Sequence, residues 1–275
     1  MPAPTTERFR VSSGDGVEIS VRKAGSGPPL LLVHGSLLNG TAAWGAVLPK
    51  LAQRFTVYAM DRRGRAPSGD APAYSLEIEA DDIFHVARAI GAPLTVLGHS
   101  YGALATIAAE ERFERAERAI LYEPPLMFQP QGPRGEEVVA RMEKALAAGD
   151  HKQVVTTFLR DQVRVPPEML ARIETSPMWP MILEISTTLP REVREVNAHY
   201  DWTDRLAKWK TPLTMLLGTE TPPSLKGSTD FICRAIPGCR LVTLEGQAHS
   251  AMLEAPDWFV SKVLEIAAPE ADHTR

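Results

Sequence analysis

A short turn flanked by glycines constrains the fold of this chain most. Residues 98–102 read Gly-His-Ser-Tyr-Gly, after the apolar run 94–97 and before the alanine-rich run 103–109. A strand that enters a helix through so tight a turn lifts its central residue above the sheet edge in a strained backbone conformation, and side chains at positions 98 and 102 would collide. We therefore predict a nucleophile elbow with Ser100 as the nucleophile.

The order of apolar runs and helical patterns indicates the fold class. Apolar runs that suit strands covered on both faces end at residues 33, 60, 97, 122, 217 and 244. Between most of these runs, apolar residues recur at the spacing of an amphipathic helix. Over residues 9–21, apolar and polar residues alternate on both sides of a glycine-containing turn, which predicts an opening hairpin. We therefore predict an α/β fold with a mostly parallel central sheet flanked by helices.

A long helical block interrupts this alternation. From about residue 127 to residue 208 the sequence has helical periodicity, is divided by prolines and contains no strand pattern. Such an insertion between two strands predicts a lid over the carboxyl edge of the sheet, where ligands bind in this architecture. We expect a core of residues 1–123 and 209–275 and a helical cap of residues 124–208.

Composition and charge argue against several classes of partner. The net charge is −4 and no cluster of Lys and Arg lies among aromatic residues, so we expect no nucleic-acid partner. No apolar stretch approaches the roughly 18 residues of a membrane span, and the first residues lack the apolar segment of a secretory signal. We expect a cytoplasmic protein with no membrane partner, in which Cys233 and Cys239 are reduced thiols; a bridge between them is the alternative.

His249 is the candidate base. A serine hydroxyl is a poor nucleophile until a base takes its proton, and His249 lies in a Gly-Gln-Ala-His-Ser loop between the last strand and the closing helix. His34 and His99 adjoin the predicted oxyanion loop and the nucleophile, and we interpret both as structural hydrogen-bonding residues. No spacing of the histidines resembles a zinc or iron site, so we predict neither a metal nor another cofactor.

The acid that orients His249 has two candidates. In the chain order Ser, acid, His, it lies between Ser100 and His249. Glu220 is the only carboxylate in the loop after the strand at 213–218, and it is the predicted acid. Glu123 ends the preceding strand at the same carboxyl edge, and it is the alternative.

Two backbone N–H groups are expected to stabilise the oxyanion. One belongs to Tyr101, which follows the nucleophile. The other belongs to the His-Gly-Ser-Leu-Leu loop after the first parallel strand, where Ser36 is the predicted donor and Leu37 the alternative. Losing one such donor typically lowers turnover about 10²–10³-fold.

With these segments in this order, the chain resembles the α/β-hydrolase fold superfamily, in its serine-nucleophile, esterase-like branch, over about residues 9–268. The segments that carry the resemblance are Leu-Val-His-Gly at 32–35, Met-Asp-Arg-Arg-Gly at 60–64, Gly-His-Ser-Tyr-Gly at 98–102 and Gly-Gln-Ala-His at 246–249. The resemblance implies that Ser100 is the nucleophile, His249 the base and Glu220 the acid, beneath a helical cap.

The chain departs from the family pattern at two positions. Many relatives carry aspartate as the acid, one residue after Glu220, where this chain has Thr221. Many also read Arg-Gly-x-Gly-x-Ser after the second strand of the pattern, and here Ala66 replaces the second glycine. The first departure bears on the identity of the acid.

A small-molecule ester is the predicted substrate. Serine at position 100 excludes the branches of the superfamily that use aspartate there to open epoxides or displace halide. We predict cleavage of carboxylic esters through an acyl-serine intermediate, in a pocket lined by Leu37, Leu38, Met127, Phe128 and Trp179. The same triad would serve a carbon–carbon bond hydrolase, a lactonase or perhydrolysis, and a non-catalytic ligand sensor is the alternative of another class.

Overall fold

The computed structural model describes residues 5–114, 116–127, 132–199 and 202–267, and its centre is an eight-stranded sheet in the order β1-β2-β4-β3-β5-β6-β7-β8. The strands are β1 (Thr6–Ser12), β2 (Glu18–Ala24), β3 (Pro29–Val33), β4 (Thr56–Met60), β5 (Leu94–His99), β6 (Ala116–Tyr122), β7 (Leu213–Gly218) and β8 (Arg240–Leu244). The pairs β1–β2 and β2–β4 are antiparallel, and the other neighbouring pairs are parallel. The predicted α/β fold with a mostly parallel sheet is confirmed.

Helices lie on both faces of the sheet and in the block between β6 and β7. They are α1 (Gly40–Trp44), α2 (Leu48–Leu51), α3 (Leu76–Ile90), α4 (Tyr101–Ala109), α5 (Gly132–Ala147), α6 (His151–Thr157), α7 (Pro167–Glu174), α8 (Trp179–Glu184), α9 (Leu189–Ala198), α10 (Thr203–Leu206), α11 (Pro223–Ala235), α12 (Ala251–Glu254) and α13 (Pro256–Ala267). Helices α3, α4, α10 and α11 contribute to the apolar core on one face, and α1, α2, α12 and α13 to the core on the other. None of the helices in the described ranges has the length and apolar character needed to cross a bilayer.

Helix α3 shows how local sequence sets the element boundaries. The Ser75 side chain caps its first turn by accepting a hydrogen bond from the Ile78 N–H at 3.2 Å. Gly91 ends the helix in the left-handed conformation, with φ of 70°. The buried positions between them recur at helical spacing, as expected for a helix that packs one face against the sheet.

The parallel register brings the carboxyl ends of the central strands together. Val33 pairs with Gly98, His99 pairs with Tyr122, and Tyr122 pairs with Leu216. The loops that follow β3, β5, β6 and β7 therefore open at one edge of the sheet, which is where this architecture binds its ligands.

Helices α5 to α10 lie between β6 and β7, in the segment predicted as a cap. Several of them share an apolar cluster distinct from the two that cover the sheet, and its members include Val138, Met142, Val154, Leu159, Leu189 and Val193. This cluster gives the helical block a core of its own. The division of the chain into core and cap remains a prediction.

Cys233 and Cys239 form a disulfide at the end of α11. Their Cα atoms are 5.2 Å apart and their sequence positions differ by six. The prediction of two reduced thiols is therefore wrong for this structure, and the bridge that the sequence left open is present.

Candidate active site

The turn between β5 and α4 holds Ser100 in a strained conformation. Its φ of 53° and ψ of −123° lie in a region that residues other than glycine rarely adopt. The Ser100 N–H donates to the Tyr122 carbonyl oxygen at 2.9 Å, and the Ser100 carbonyl accepts from Ala103 and Leu104 in the first turn of α4. The strain is therefore held by hydrogen bonds on both sides of the serine.

The two glycines of the elbow are required by close backbone approach. A Cβ at Gly98 would lie 2.7 Å from the Ala103 Cα atom, and a Cβ at Gly102 would lie 2.4 Å from the His34 carbonyl oxygen. Both distances are below those that Cβ atoms make with backbone. The elbow is therefore compatible only with glycine at these two positions.

The His249 imidazole is paired with a buried carboxylate. His249 lies in the loop between β8 and α12, and its Nδ1 atom is 2.6 Å from Oε2 of Glu123. Glu123 is completely buried, while the His249 side chain is 26 % exposed. The geometry places the Nδ1 proton between the two groups, so the histidine tautomer with Nε2 free is favoured.

Further hydrogen bonds hold the Glu123 carboxylate. Its Oε1 atom accepts from the Gly218 N–H at 2.8 Å and from the Thr221 hydroxyl. Glu123 itself has a φ of 49°, again in the left-handed region. The strand end and the loop after β7 therefore fix a carboxylate whose second oxygen points at His249.

Glu220, the predicted acid, does not take this position. It lies in the loop after β7, its side chain is exposed to solvent, and its backbone N–H donates to the Gln247 carbonyl at 2.9 Å. The described structure contains no contact between the Glu220 carboxylate and His249, whereas the alternative acid Glu123 makes one. The physical reason is that the buried place beside Glu123 is taken by the Thr221 hydroxyl, which leaves Glu220 on the outside of the turn.

Ser36 and Tyr101, the predicted oxyanion donors, lie near Ser100. Both residues line the same cavity as Ser100 and His249. A Cβ at Gly35 would lie 3.0 Å from the Ser100 Cβ atom, so the loop after β3 passes close to the serine. The Tyr101 side chain points away into the core, where its hydroxyl is 2.9 Å from that of Tyr74.

The other two histidines at the site make structural hydrogen bonds. His34 Nε2 accepts from the Arg62 N–H at 3.0 Å, and its Nδ1 lies 2.8 Å from the Gly35 carbonyl oxygen. His99 Nε2 lies 2.8 Å from the His249 carbonyl oxygen. Burial lowers the pKa of His34 and of His99 well below the usual value, so both imidazoles are neutral.

A cavity of about 200 Å³ opens onto these groups. Its floor is formed by Ser36, Ser100, Tyr101 and His249. Apolar side chains form much of the wall, namely Leu126, Met127, Val138, Phe158, Val163, Val193, Val196 and Leu225. The cavity also contacts polar residues of the helical block, including Arg134, Asp161, Gln162 and Arg164.

Of the predicted pocket residues that the structure describes, only Met127 lies in the cavity wall. Leu37 and Trp179 pack against the apolar cluster of the helical block, and Leu38 is buried in a core on the sheet. Phe128 lies outside the described residues. Valines of α5 and α9 form the wall instead, because those helices face the elbow. The helical spacing of apolar residues in these two segments is the sequence pattern that could have indicated them.

Ser100 and His249 are not hydrogen-bonded to each other in this structure. Ser100 and His249 share the cavity, but no hydrogen bond joins the Ser100 hydroxyl to the imidazole. Such contacts are often long in unliganded enzymes and tighten when substrate binds. The described residues also contain no group of three or more His, Cys, Asp or Glu side chains that could hold a metal ion.

Known proteins that are similar to this chain are named as hydrolases or esterases. Residues 30–262 match the model of a family described as the alpha/beta hydrolase family. A curated pimeloyl-[acyl-carrier protein] methyl ester esterase of Aeromonas hydrophila is 27 % identical over 261 residues, which span 89 % of this chain and 97 % of that protein. The crystal structure of an alpha/beta hydrolase from Sphaerobacter thermophilus superposes with a TM-score of 0.84 at 32 % identity, covering 94 % of this chain and 99 % of the other. An esterase from Thermogutta terrifontis gives a TM-score of 0.77 at 23 % identity, over 94 % and 97 % of the two chains.

Proposed function

The chain belongs to the alpha/beta hydrolase family, and on that premise we propose that it is a serine hydrolase that cleaves carboxylic esters of small molecules. The observation that carries the proposal is the His249–Glu123 pair, which faces the same cavity as Ser100 at the strained elbow. A strained serine and an imidazole in one cavity, with a fully buried carboxylate that orients the imidazole from behind, are what acyl transfer requires. The ester-cleaving activity named for the Aeromonas relative supports the same class of substrate.

In the proposed mechanism Ser100, His249 and Glu123 act as a triad. With its Nδ1 proton shared with Glu123, His249 accepts the Ser100 hydroxyl proton on Nε2 while the serine oxygen attacks the ester carbonyl carbon. Glu123 stays ionised and stabilises the imidazolium. Collapse of the tetrahedral adduct breaks the bond to the alcohol oxygen, which leaves with the proton from Nε2, and the acyl group remains on Ser100. A water molecule then attacks the acyl carbon as His249 takes its proton on Nε2. Collapse of this second adduct breaks the bond to the Ser100 oxygen, which regains its proton from Nε2, and the carboxylic acid is released.

Backbone N–H groups of Tyr101 and Ser36 are the proposed oxyanion donors. The carbonyl oxygen gains negative charge only when the tetrahedral adduct forms, so donors that are already in place lower the barrier more than they strengthen substrate binding. The Tyr101 N–H lies at the first position of α4, where the helix dipole adds to the stabilisation of negative charge. The position of Ser36 and Tyr101 in one cavity with Ser100 supports this assignment.

The small, largely apolar cavity supports a substrate with a short acyl chain. Its wall is formed largely by residues of segment 124–208, which we propose as the cap. Met127, Val193 and Val196 would contact an acyl chain bound to Ser100. We expect catalytic efficiency to be highest for short esters and to fall for long chains that the cavity cannot enclose.

The test is kcat/KM on p-nitrophenyl esters of increasing acyl length. The Ser100→Ala variant serves as the blank and Glu220→Gln as a matched control at an exposed carboxylate. Wild-type activity with a silent Ser100→Ala variant supports the proposal, and the length optimum reports the acyl pocket. Activity that survives in Ser100→Ala beyond a mock preparation would overturn it. If every simple ester is inert, the experiment is repeated with lactones and with dienone ring-cleavage products. A compound of these classes that binds the protein but is not turned over would point to a ligand sensor.

A further inference from the structure

Two buried arginines hold the carbonyl groups of the loop after β3. Arg62 donates from Nη1 to the Gly35 carbonyl oxygen at 3.1 Å. Arg65 donates from Nη2 to the Ser36 carbonyl and from Nε to the Leu38 carbonyl, the latter at 3.2 Å. Both arginine side chains are fully buried. The Gly35, Ser36 and Leu38 carbonyls are therefore directed toward fixed cations.

Fixing a carbonyl also fixes the N–H of the same peptide group. In a trans peptide the N–H of one residue points opposite to the C=O of the residue before it. Arg62 thus sets the direction of the Ser36 N–H, and Arg65 sets that of the Leu37 N–H through the Ser36 carbonyl. These two N–H groups are the two candidate oxyanion donors of the loop.

One carboxylate from the helical block joins the two arginines. Glu192 of α9 accepts from Arg62 Nη2 at 3.0 Å and from Arg65 Nη2 at 2.7 Å, both through Oε1. The Thr188 hydroxyl donates to the same oxygen at 3.2 Å. Burial alone would raise the pKa of Glu192, but the charges of the two arginines and the nearby Ser36 side chain hold that pKa below its usual value, so the carboxylate is ionised.

The two arginines depend on Glu192 to different degrees. Arg62 has a second carboxylate partner, Glu79, which accepts at 2.7 and 3.0 Å. Arg65 has Glu192 as its only carboxylate partner among the described residues. Loss of the Glu192 charge would therefore leave the buried Arg65 guanidinium without a directly paired carboxylate, which is costly and favours its displacement.

We propose that Glu192 is a positioning residue for the oxyanion hole, acting through Arg65 and Arg62 on the loop that presents the Ser36 and Leu37 N–H groups. This rests on the proposed serine-hydrolase function. Glu192 and the loop lie more than 150 residues apart in sequence, so this carboxylate links the helical block to the arginines behind the loop. The position of α9 against the core then affects the orientation of the Ser36 and Leu37 N–H groups.

The expected signature is a fall in kcat with little change in KM. Oxyanion donors act on charge that develops in the transition state, and misaligning one costs up to about 10²-fold in kcat. We expect Glu192→Gln to lower kcat about 10²-fold and to leave KM for a short p-nitrophenyl ester within about 3-fold. Arg65→Lys, which keeps the positive charge but loses the paired grip on the Ser36 and Leu38 carbonyls, should give the same split.

Glu195→Gln is the matched control. Glu195 lies one turn further along α9 and also joins the helix to the core, by accepting from the Leu76 N–H at 2.7 Å. It contacts neither Arg62 nor Arg65 among the described interactions, and its amide replacement keeps an acceptor oxygen. Its kcat should stay within about 2-fold of wild type.

Ser100→Ala is measured first on the same ester, because its activity decides the proposed function separately. If that variant is silent and Glu192→Gln keeps the wild-type kcat, or changes only KM, the inference is overturned while the serine hydrolase stands. If Ser100→Ala remains active, the proposed function fails and takes the inference with it. Circular dichroism and the thermal midpoint check folding, and if Glu192→Gln does not fold, the kcat and KM of Arg65→Lys decide the matter by the same criterion.

Discussion

The Thr221 hydroxyl donates a hydrogen bond to the Glu123 carboxylate, whose other oxygen pairs with His249. Thr221 occupies the position at which, by the resemblance to the family, many relatives carry the aspartate of the triad. In this chain the loop after β7 therefore supplies an orienting hydroxyl, and the carboxylate comes from the end of the neighbouring strand β6. The role of triad acid is proposed for Glu123 on this geometry.

The first prediction separates the two carboxylates. Glu123→Gln should lower kcat on a short ester about 10³–10⁴-fold, because an amide in place of the carboxylate favours the wrong tautomer of His249 and cannot stabilise the imidazolium. Glu220→Gln should stay within about 2-fold of wild type, since its side chain is exposed and makes no contact with His249. Steady-state kinetics on both variants check this. A large loss in Glu220→Gln with an active Glu123→Gln would reverse the assignment.

The second prediction concerns the hydroxyl that holds the acid. Thr221→Val keeps the buried volume but removes one of the hydrogen bonds to Oε1 of Glu123, leaving the Gly218 N–H as partner. A bond to an ionised group is worth about 1.5–3 kcal/mol, so we expect kcat to fall about 10-fold or more. Thr221→Ser keeps the hydroxyl and should recover most of the activity. Equal kcat in the valine and serine variants would show that this hydrogen bond does not orient the acid.

The sequence predicts the fold well because hydrophobic pattern and turn glycines act locally. The elbow over residues 98–102 and helix α3 follow from neighbours within one turn or strand. The helical segment that follows β3 is less simple: the Asn39 side chain caps it by accepting a hydrogen bond from the Ala42 N–H at 2.8 Å, and the segment divides into α1 and α2. Glycine at the end of α1 and proline at the start of α2 account for that break.

The acid and the arginine cluster depend on contacts that local pattern does not contain. Glu123 and Glu220 end or follow adjacent parallel strands, and only the packing of Thr221 decides which one is buried beside His249. The contact of Glu192 with Arg65 joins residues 127 positions apart. Sequence can place such residues at one edge of the sheet, but the pairing among them is set by tertiary packing.

The third prediction tests the backbone contact at the elbow. Gly102→Ala should destabilise the native state by about 3 kcal/mol or more, because the new Cβ would lie 2.4 and 2.5 Å from two backbone carbonyl oxygens that cannot move aside. Gly149→Ala is the control: it has a φ of 70° but open space around it, so only the conformational cost of about 1 kcal/mol applies. Urea unfolding of both variants measures the difference. Equal costs would mean that the clash at Gly102 is relieved by backbone movement.

The fourth prediction concerns the pH dependence of stability. Burial holds the pKa of His34 and of His99 well below 6.5 in the native state, and the charges of Arg62 and Arg65 act in the same direction on the pKa of His34. In the unfolded chain these imidazoles take up protons as the pH falls through about 6.5. The unfolded state then binds more protons than the native state, so the free energy of unfolding decreases on acidification below that pH and is unaffected by these groups well above it.

The slope of this effect can be assigned to one residue. Each neutral buried histidine contributes about 1.4 kcal/mol per pH unit once its unfolded form is protonated. His99→Gln retains an amide donor for the His249 carbonyl and removes the titrating group. Its free energy of unfolding, measured in urea from pH 8 to pH 5, should therefore fall less steeply than that of wild type by about 1.4 kcal/mol per unit below pH 6. Between pH 7.5 and pH 8 the His99 imidazole is neutral in the native and in the unfolded state. The difference in free energy of unfolding between variant and wild type should therefore be constant in that range, which serves as the internal control. Parallel curves across the whole range would mean that His99 takes up a proton in the native state as readily as in the unfolded chain, which its buried position beside His249 makes unfavourable.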